Sequence, residues 1–193
     1  LGDASLLHRE PLTGTYSLHP LLKEFALARL EEKDAVLERY ARHHLGQLAA
    51  SRERLRGRDQ IAARDELVEE LDHLRFAMEW GMEHLADDEM YDAVLTYGDF
   101  LFLHSWIAQA ADMQRLHQVA EAAFGREGLL QRRSCLLAIG FEATAQENFL
   151  TPDEVDEIID PVLQNTTDDD GLVRAMALTV RAITETLRSN FES

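Results

Sequence analysis

The chain has 193 residues, is 46% hydrophobic and 28% charged, and sets 36 acidic against 19 basic side chains for a formal charge of −17. That length buries a core without staples, and the lone Cys135 excludes an internal disulfide and fits a reducing, cytoplasmic setting. The longest uncharged stretch in the middle of the chain, Phe100 to Ala111, is broken by His104 and Gln109, so nothing there spans a bilayer; the opening Leu1-Gly2-Asp3 has no signal-peptide pattern and reads as a cut from something longer.

In chain order, Ser5 to Arg9 and Thr15 to His19 are short β-prone runs on either side of Glu10-Pro11-Leu12-Thr13-Gly14, which predicts a hairpin. Pro20 then suits a first helical position, with Leu21, Leu22, Phe25, Ala26 and Leu30 as an apolar stripe behind it. From Asp34 the pattern is helical. One helix is expected from Asp34 to a stop at Gly57, and a second from Asp59 with Leu67, Leu71, Leu74, Met78 and Leu85 in register. Asp87-Asp88 interrupts. A third helix, about Glu89 to Ser105, is apolar on several sides, through Tyr91, Val94, Leu95, Tyr97, Phe100, Leu101 and Phe102. A fourth should run from about Gln109 to Phe124, stopped near Gly125 and Gly128, and a fifth from about Leu129 to Asn148. Thr151-Pro152-Asp153-Glu154 is a capping box with proline at the first position, opening a sixth helix that ends near Asn165. Asp168-Asp169-Asp170-Gly171 reads as a loop and cap before a seventh helix, Leu172 to about Leu187.

The expected fold class is therefore all-α: antiparallel helical hairpins stacked as a TPR-like array, preceded by a short β-hairpin and helix. Ala120-x-x-x-Phe124 and Ala108 match parts of a tetratricopeptide unit, while its other aromatic and proline positions do not. The last helix has no successor before Ser193, which leaves room for an array that continues.

Composition also removes several chemistries. The only lysines, Lys23 and Lys33, follow Leu22 and Glu32, so there is no Gly-Lys-Ser/Thr phosphate loop. No Gly-x-Gly, Gly-x-Ser-x-Gly or His-Glu-x-x-His occurs either. No catalytic residue and no metal ligand is assigned. Glu70-x-x-His73 has the spacing of half a carboxylate-bridged di-iron site but lacks its second half, and is read as a polar surface pair. His44, on the apolar stripe of its helix beside His43, is expected to be partly buried and bonded to a carbonyl. The loop before Gly171 puts Thr166 and Ala177 at the first and twelfth calcium positions, so it is read as a solvated turn with Asp170 as helix cap. Arg52, Arg54, Arg56 and Arg58 alternate and so scatter about 200° apart around a helix; in an acidic chain they do not make a nucleic-acid face. Tyr97, Phe100, Phe102, His104 and Trp106 are first of all core candidates, and also the place where an effector or partner groove is expected.

Two segments carry a family resemblance. Ser5-Leu6-Leu7 followed by Gly14-Thr15-Tyr16-Ser17-Leu18-His19-Pro20-Leu21-Leu22-Lys23-Glu24-Phe25-Ala26 resembles the end of the winged-helix domain of STAND/NB-ARC signalling ATPases. Glu70-Leu71-Asp72-His73-Leu74-Arg75-Phe76-Ala77-Met78-Glu79-Trp80 resembles the helix that opens the helical region of bacterial members, several of them transcriptional regulators; Glu38-Arg39-Tyr40-Ala41-Arg42-His43-His44 lies between. The resemblance implies residues 1–33 as the C-terminal part of a winged-helix domain and 34–193 as a TPR-like helical region. It implies a non-catalytic regulatory, sensor and protein-interaction role in signal transduction, within an ATP/ADP-switched parent. It also implies that His19 is the histidine that touches the phosphates of ADP, only together with the parent's ATPase domain and with Pro20 where the family motif has Asp. This stretch itself would then hold no cofactor. Its partners would be the upstream ATPase domain and a protein or small effector on the helices, with no nucleic acid and no membrane. The alternative is a free-standing helical scaffold with a constitutive protein partner.

Overall fold

The computed structural model describes residues 7–9, 16–104, 106–145 and 151–191. It divides into two compact units, Leu1–Arg39 and Tyr40–Ser193.

In the first unit, strand β1 (Leu7–Arg9) pairs antiparallel with β2 (Tyr16–Leu18), Leu7 opposite Leu18. The Pro/Gly turn expected at residues 10–14 lies outside the described residues. Helix α1 (Pro20–Ala28) starts on Pro20, and the Leu22 amide donates to His19 O at 2.9 Å, so the ring without an N–H sits where none is needed. Leu21 and Phe25 are exposed on α1, and the Arg29 guanidinium lies 4.3 Å above the Phe25 ring. Helix α2 (Lys33–Ala50) crosses the division between the units.

The described residues of the second unit are helical. After α2 come α3 (Arg52–Arg56), α4 (Gln60–Glu69), α5 (Leu71–His84) and α6 (Asp87–His104). They are followed by α7 (Trp106–Gln131), α8 (Arg133–Ala145), α9 (Pro152–Asn165) and α10 (Gly171–Phe191), with a 3-10 turn at Asp168–Asp170. All-α is thus the architecture of this unit. From α5 onward each helix touches its successor and also the next but one: α5 on α7, α6 on α8, α7 on α9, α8 on α10. That contact pattern makes two sets of helices, even and odd.

Several expected boundaries move. The single helix predicted from Asp34 to Gly57 is two, parted at Ser51, whose hydroxyl bonds back to Gln47 O at 2.9 Å. The helix predicted from Asp59 through Leu85 is also two, parted at Glu70 with φ −97° and ψ 5°. Apolar periodicity carried on across both breaks because the residues on either side, Leu48 and Leu55 or Leu67 and Leu74, are buried in one core. At Gly125 the expected stop is a kink: φ 65° and ψ 167° lie where essentially only glycine goes, and helix resumes on the far side as part of α7. Nothing lies within 4 Å of where a Cβ would sit, so the demand for glycine there is purely one of backbone conformation.

The Thr151 capping box forms as the spacing predicts: Thr151 N–H donates to Glu154 Oε2 at 2.7 Å and Glu154 N–H to Thr151 Oγ1 at 3.4 Å. The Thr151 amide, and then its hydroxyl donating to Oε2 at 2.8 Å, hold the Glu154 carboxyl below the usual range. Asp170, expected as the cap of the last helix, does something else. It closes the 3-10 turn, accepting from Thr167 N and Oγ1 at 3.1 and 3.0 Å, and meets Arg133 Nε at 2.6 Å.

The core is rich in methionine. Met78, Met82, Met90 and Met113 are fully buried beside Tyr97 and Phe100, and their flexible thioethers suit the irregular gaps where successive helices cross. Two polar clusters tie the helices together. Asp112 on α7 accepts from Arg75 Nε on α5 at 3.1 Å and, more weakly, from the Tyr97 hydroxyl on α6 at 3.4 Å. Burial and then the nearby Asp112 charge hold the Tyr97 hydroxyl firmly protonated, its pKa pushed well above the ordinary tyrosine value. The second cluster is built on Asp87, at the start of α6, which accepts from Arg133 N, Ser134 N and Ser134 Oγ at 3.1, 2.9 and 2.5 Å. The free amides at the start of α8 are thus satisfied by a carboxylate distant in sequence.

Candidate functional site

The α6 sequence places apolar or small residues at Leu95, Gly98, Phe102 and Leu103, at spacings that share one face of a helix, with Asp99 among them. α10 has two stripes of its own. Val173, Ala177, Val180 and Thr184 are buried in the core, while Leu172, Ala175 and Thr179 stay exposed and Met176 half-buried. These faces meet across a groove of about 600 Å³, which is also lined by Leu55 and Arg56 of α3 and Gln60 of α4. Leu55 is fully buried and forms floor, whereas Phe102, 61% exposed, and Leu172, 41% exposed, stand at the rim.

The charges on the lining are an ion pair. Arg56 Nε donates to Asp99 Oδ2 at 2.8 Å, with a second guanidinium nitrogen at 2.7 Å from the same oxygen. The groove is therefore apolar in its walls and close to neutral in its rim, with Gln60 Nε2 turned inward to Leu55 O at 2.8 Å. Such a lining offers apolar contact with its one charge pair already neutralised. It offers no pair of acid and base groups aimed at a common point.

The five residues expected to form an effector groove separate. Tyr97 and Phe100 are 1% and 0% exposed and belong to the core; their ring centroids are 6.1 Å apart. His104 stacks on Phe100 with centroids 5.7 Å apart and planes 6° from parallel. Of the four whose side chains are described, Phe102 lines the groove. The Trp106 side chain lies outside what the structure describes. At 100° per residue, positions 97, 100 and 104 fall on one side of α6 and 102 on the other, so an aromatic cluster in sequence is divided by the helix. The residues that sequence reading missed, Leu55, Arg56, Met176 and Thr179, lie far from Phe102 in the chain. The one signal for them was that α6 is apolar on several sides, which demands neighbours from elsewhere.

The other candidates also find their places. His19 is exposed just before α1, its Nδ1 accepting from Leu21 N–H at 3.3 Å. Glu70 and His73 are not bonded to each other: Glu70 Oε2 lies 3.6 Å from His44 Nδ1, and His73 Nδ1 shares a hydrogen bond with the Tyr40 hydroxyl. His44 is buried, but the expected carbonyl bond is absent; its Nδ1 has no hydrogen-bond partner. Arg52, Arg54 and Arg56 are paired with Asp92, Glu66 and Asp99, which leaves those three guanidiniums neutralised. Among the described residues, no group of three or more His, Cys, Asp or Glu side chains could hold a metal ion, and no helix is long and apolar enough to cross a membrane. Cys135 is buried, and burial pushes its thiol up to about 11, so it carries little thiolate at neutral pH. No protein-family model matches the chain, and no curated protein or solved structure matches it either.

Proposed function

We propose that this chain is a non-catalytic regulatory and protein-interaction region in which the groove between α3, α6 and α10 receives an apolar helix of a protein partner. The observation that carries this reading is the chemistry of the groove: apolar walls from three separate helices, with Arg56 and Asp99 cancelling each other at the rim. The contacts of each helix with its next neighbour but one support a TPR-like array, an architecture that exposes such grooves. The segments around His19 and Glu70–Trp80 supply the rest: they resemble STAND/NB-ARC ATPases and favour a parent whose ATP/ADP state is read out through these helices, in transcription regulation. On this reading a partner changes the switch only by binding its open and closed arrangements unequally. His19 would touch nucleotide phosphate only beside the parent's ATPase domain.

A displayed library of amphipathic helical peptides tests the groove. Selected binders are expected to move the Met176 methyl resonance and to lose affinity at least about tenfold, 1.4 kcal/mol, in Thr179→Arg, which puts an unpaired charge on the apolar wall. Binders that map elsewhere and ignore Thr179→Arg would refute the site. The parent is tested independently: the gene upstream of Leu1 is expected to encode a Gly-rich phosphate loop, and a complete gene without one would overturn the ATPase-linked part of the reading.

A further inference from the structure

A second group of side chains stands apart from the groove. His44 on α2 and His73 on α5 stack with ring centroids 5.1 Å apart and planes 6° from parallel. Tyr40, one turn before His44, packs on it at 4.5 Å, edges onto Phe76 of α5 at 5.5 Å and shares a hydrogen bond between its hydroxyl and His73 Nδ1. These rings bring side chains of α2 and α5 together, as does Leu45 against Gly81, where a Cβ would meet Leu45 Cδ1 at 3.0 Å. The His44 side chain is only 11% exposed and its Nδ1 has no hydrogen-bond partner. A buried, unbonded imidazole nitrogen is tolerable in the neutral ring and costly in the charged one.

The titratable groups that face His44 are Tyr40 and His43 on its own helix, His73 on α5, and Glu70 at the junction of α4 and α5. Glu70 is the one acid among them, at 3.6 Å and with its side chain 48% exposed, so solvent screens what it offers. His73 sits face to face with His44, where two like charges would repel at close range.

We propose that the His44–His73 stack is an acid-sensitive latch between α2 and α5, closed while the His44 imidazole is neutral and opened by its protonation as the pH falls below neutral. Burial first, then the His73 and His43 rings, hold the His44 pKa below its ordinary value, with Glu70 opposing. The sign follows. A histidine depressed in the folded state gives stability that is fully present above its unfolded pKa of about 6.5 and is lost as the pH falls from there toward the folded value.

Hydrogen exchange of the 193-residue chain, corrected for intrinsic rates, tests the latch. From pH 7.5 to 5.5 the amides of residues 41–50 are expected to lose at least about threefold in protection, while the amides of α6 keep theirs. In His44→Phe, which keeps a ring on the stack and cannot titrate, the α2 protection is expected to be independent of pH. Protection that is flat with pH in the unaltered chain, or a pH dependence that survives in His44→Phe, would overturn the proposal. Should that variant not fold, histidine Cε1–H resonances of the unaltered chain decide: His44 is expected to titrate below an ordinary histidine, and a normal midpoint would refute the latch.

Discussion

Phe100→Ala is expected to destabilise the second unit by about 3–5 kcal/mol, seen as a lower urea midpoint at unchanged m-value. Phe100 is fully buried and its ring is held between Tyr97 and His104, at 6.1 and 5.7 Å between centroids. Truncation removes the transfer energy of the ring and leaves a cavity in the middle of α6 that packed helices close only in part. The contrast with Phe102→Ala makes the result diagnostic. Phe102 is 61% exposed at the groove rim, so its loss should cost about 1 kcal/mol or less in stability and weaken selected groove peptides instead. Equal costs for the two phenylalanines would mean that α6 is not turned as described.

Asp87→Ala carries the second large effect, about 2–4 kcal/mol, measured in the same way. The carboxylate closes the start of α8 from the start of α6, forty-seven residues earlier in the chain. Without it, Ser134, which is fully buried, loses the acceptor for both its amide and its hydroxyl. Arg132 is held nearby, with Nε 3.8 Å from Asp87 and a terminal nitrogen donating to Leu85 O at 2.7 Å, so it too loses a partner. Asp87→Asn keeps one acceptor oxygen and should recover part of the loss. A cost under about 0.5 kcal/mol for the alanine variant would show that water replaces the cap.

The two sites differ in how far they could be read from sequence. His44 lies on the stripe Tyr40, Ala41, His44, Leu48, so its burial follows from spacing alone. Its missing hydrogen bond does not, because that depends on His73 arriving from α5 to cover it. The aromatic residues expected to line a groove include Tyr97 and Phe100, which are core, and the cavity that α6 does border lies on its opposite face, with Phe102. The arginines at 52, 54 and 56 were set aside as a nucleic-acid face because their alternation scatters them; the carboxylates that take them, Asp92, Glu66 and Asp99, are chosen by helix packing.

What the sequence determined by itself is local: helix after helix from the 3.6-residue apolar period, Pro20 at the start of α1, and the capping box at Thr151. Each rests on interactions within a few residues, so the chain encodes it directly. What the tertiary structure decided is everything that needs two helices at once. The breaks at Ser51 and Glu70, the remote cap from Asp87, the stack of His44 on His73 and the groove wall from α10 all depend on which faces meet. Amphipathic spacing says which side of a helix is buried, but any apolar face can bury against any other, and only packing selects the partner.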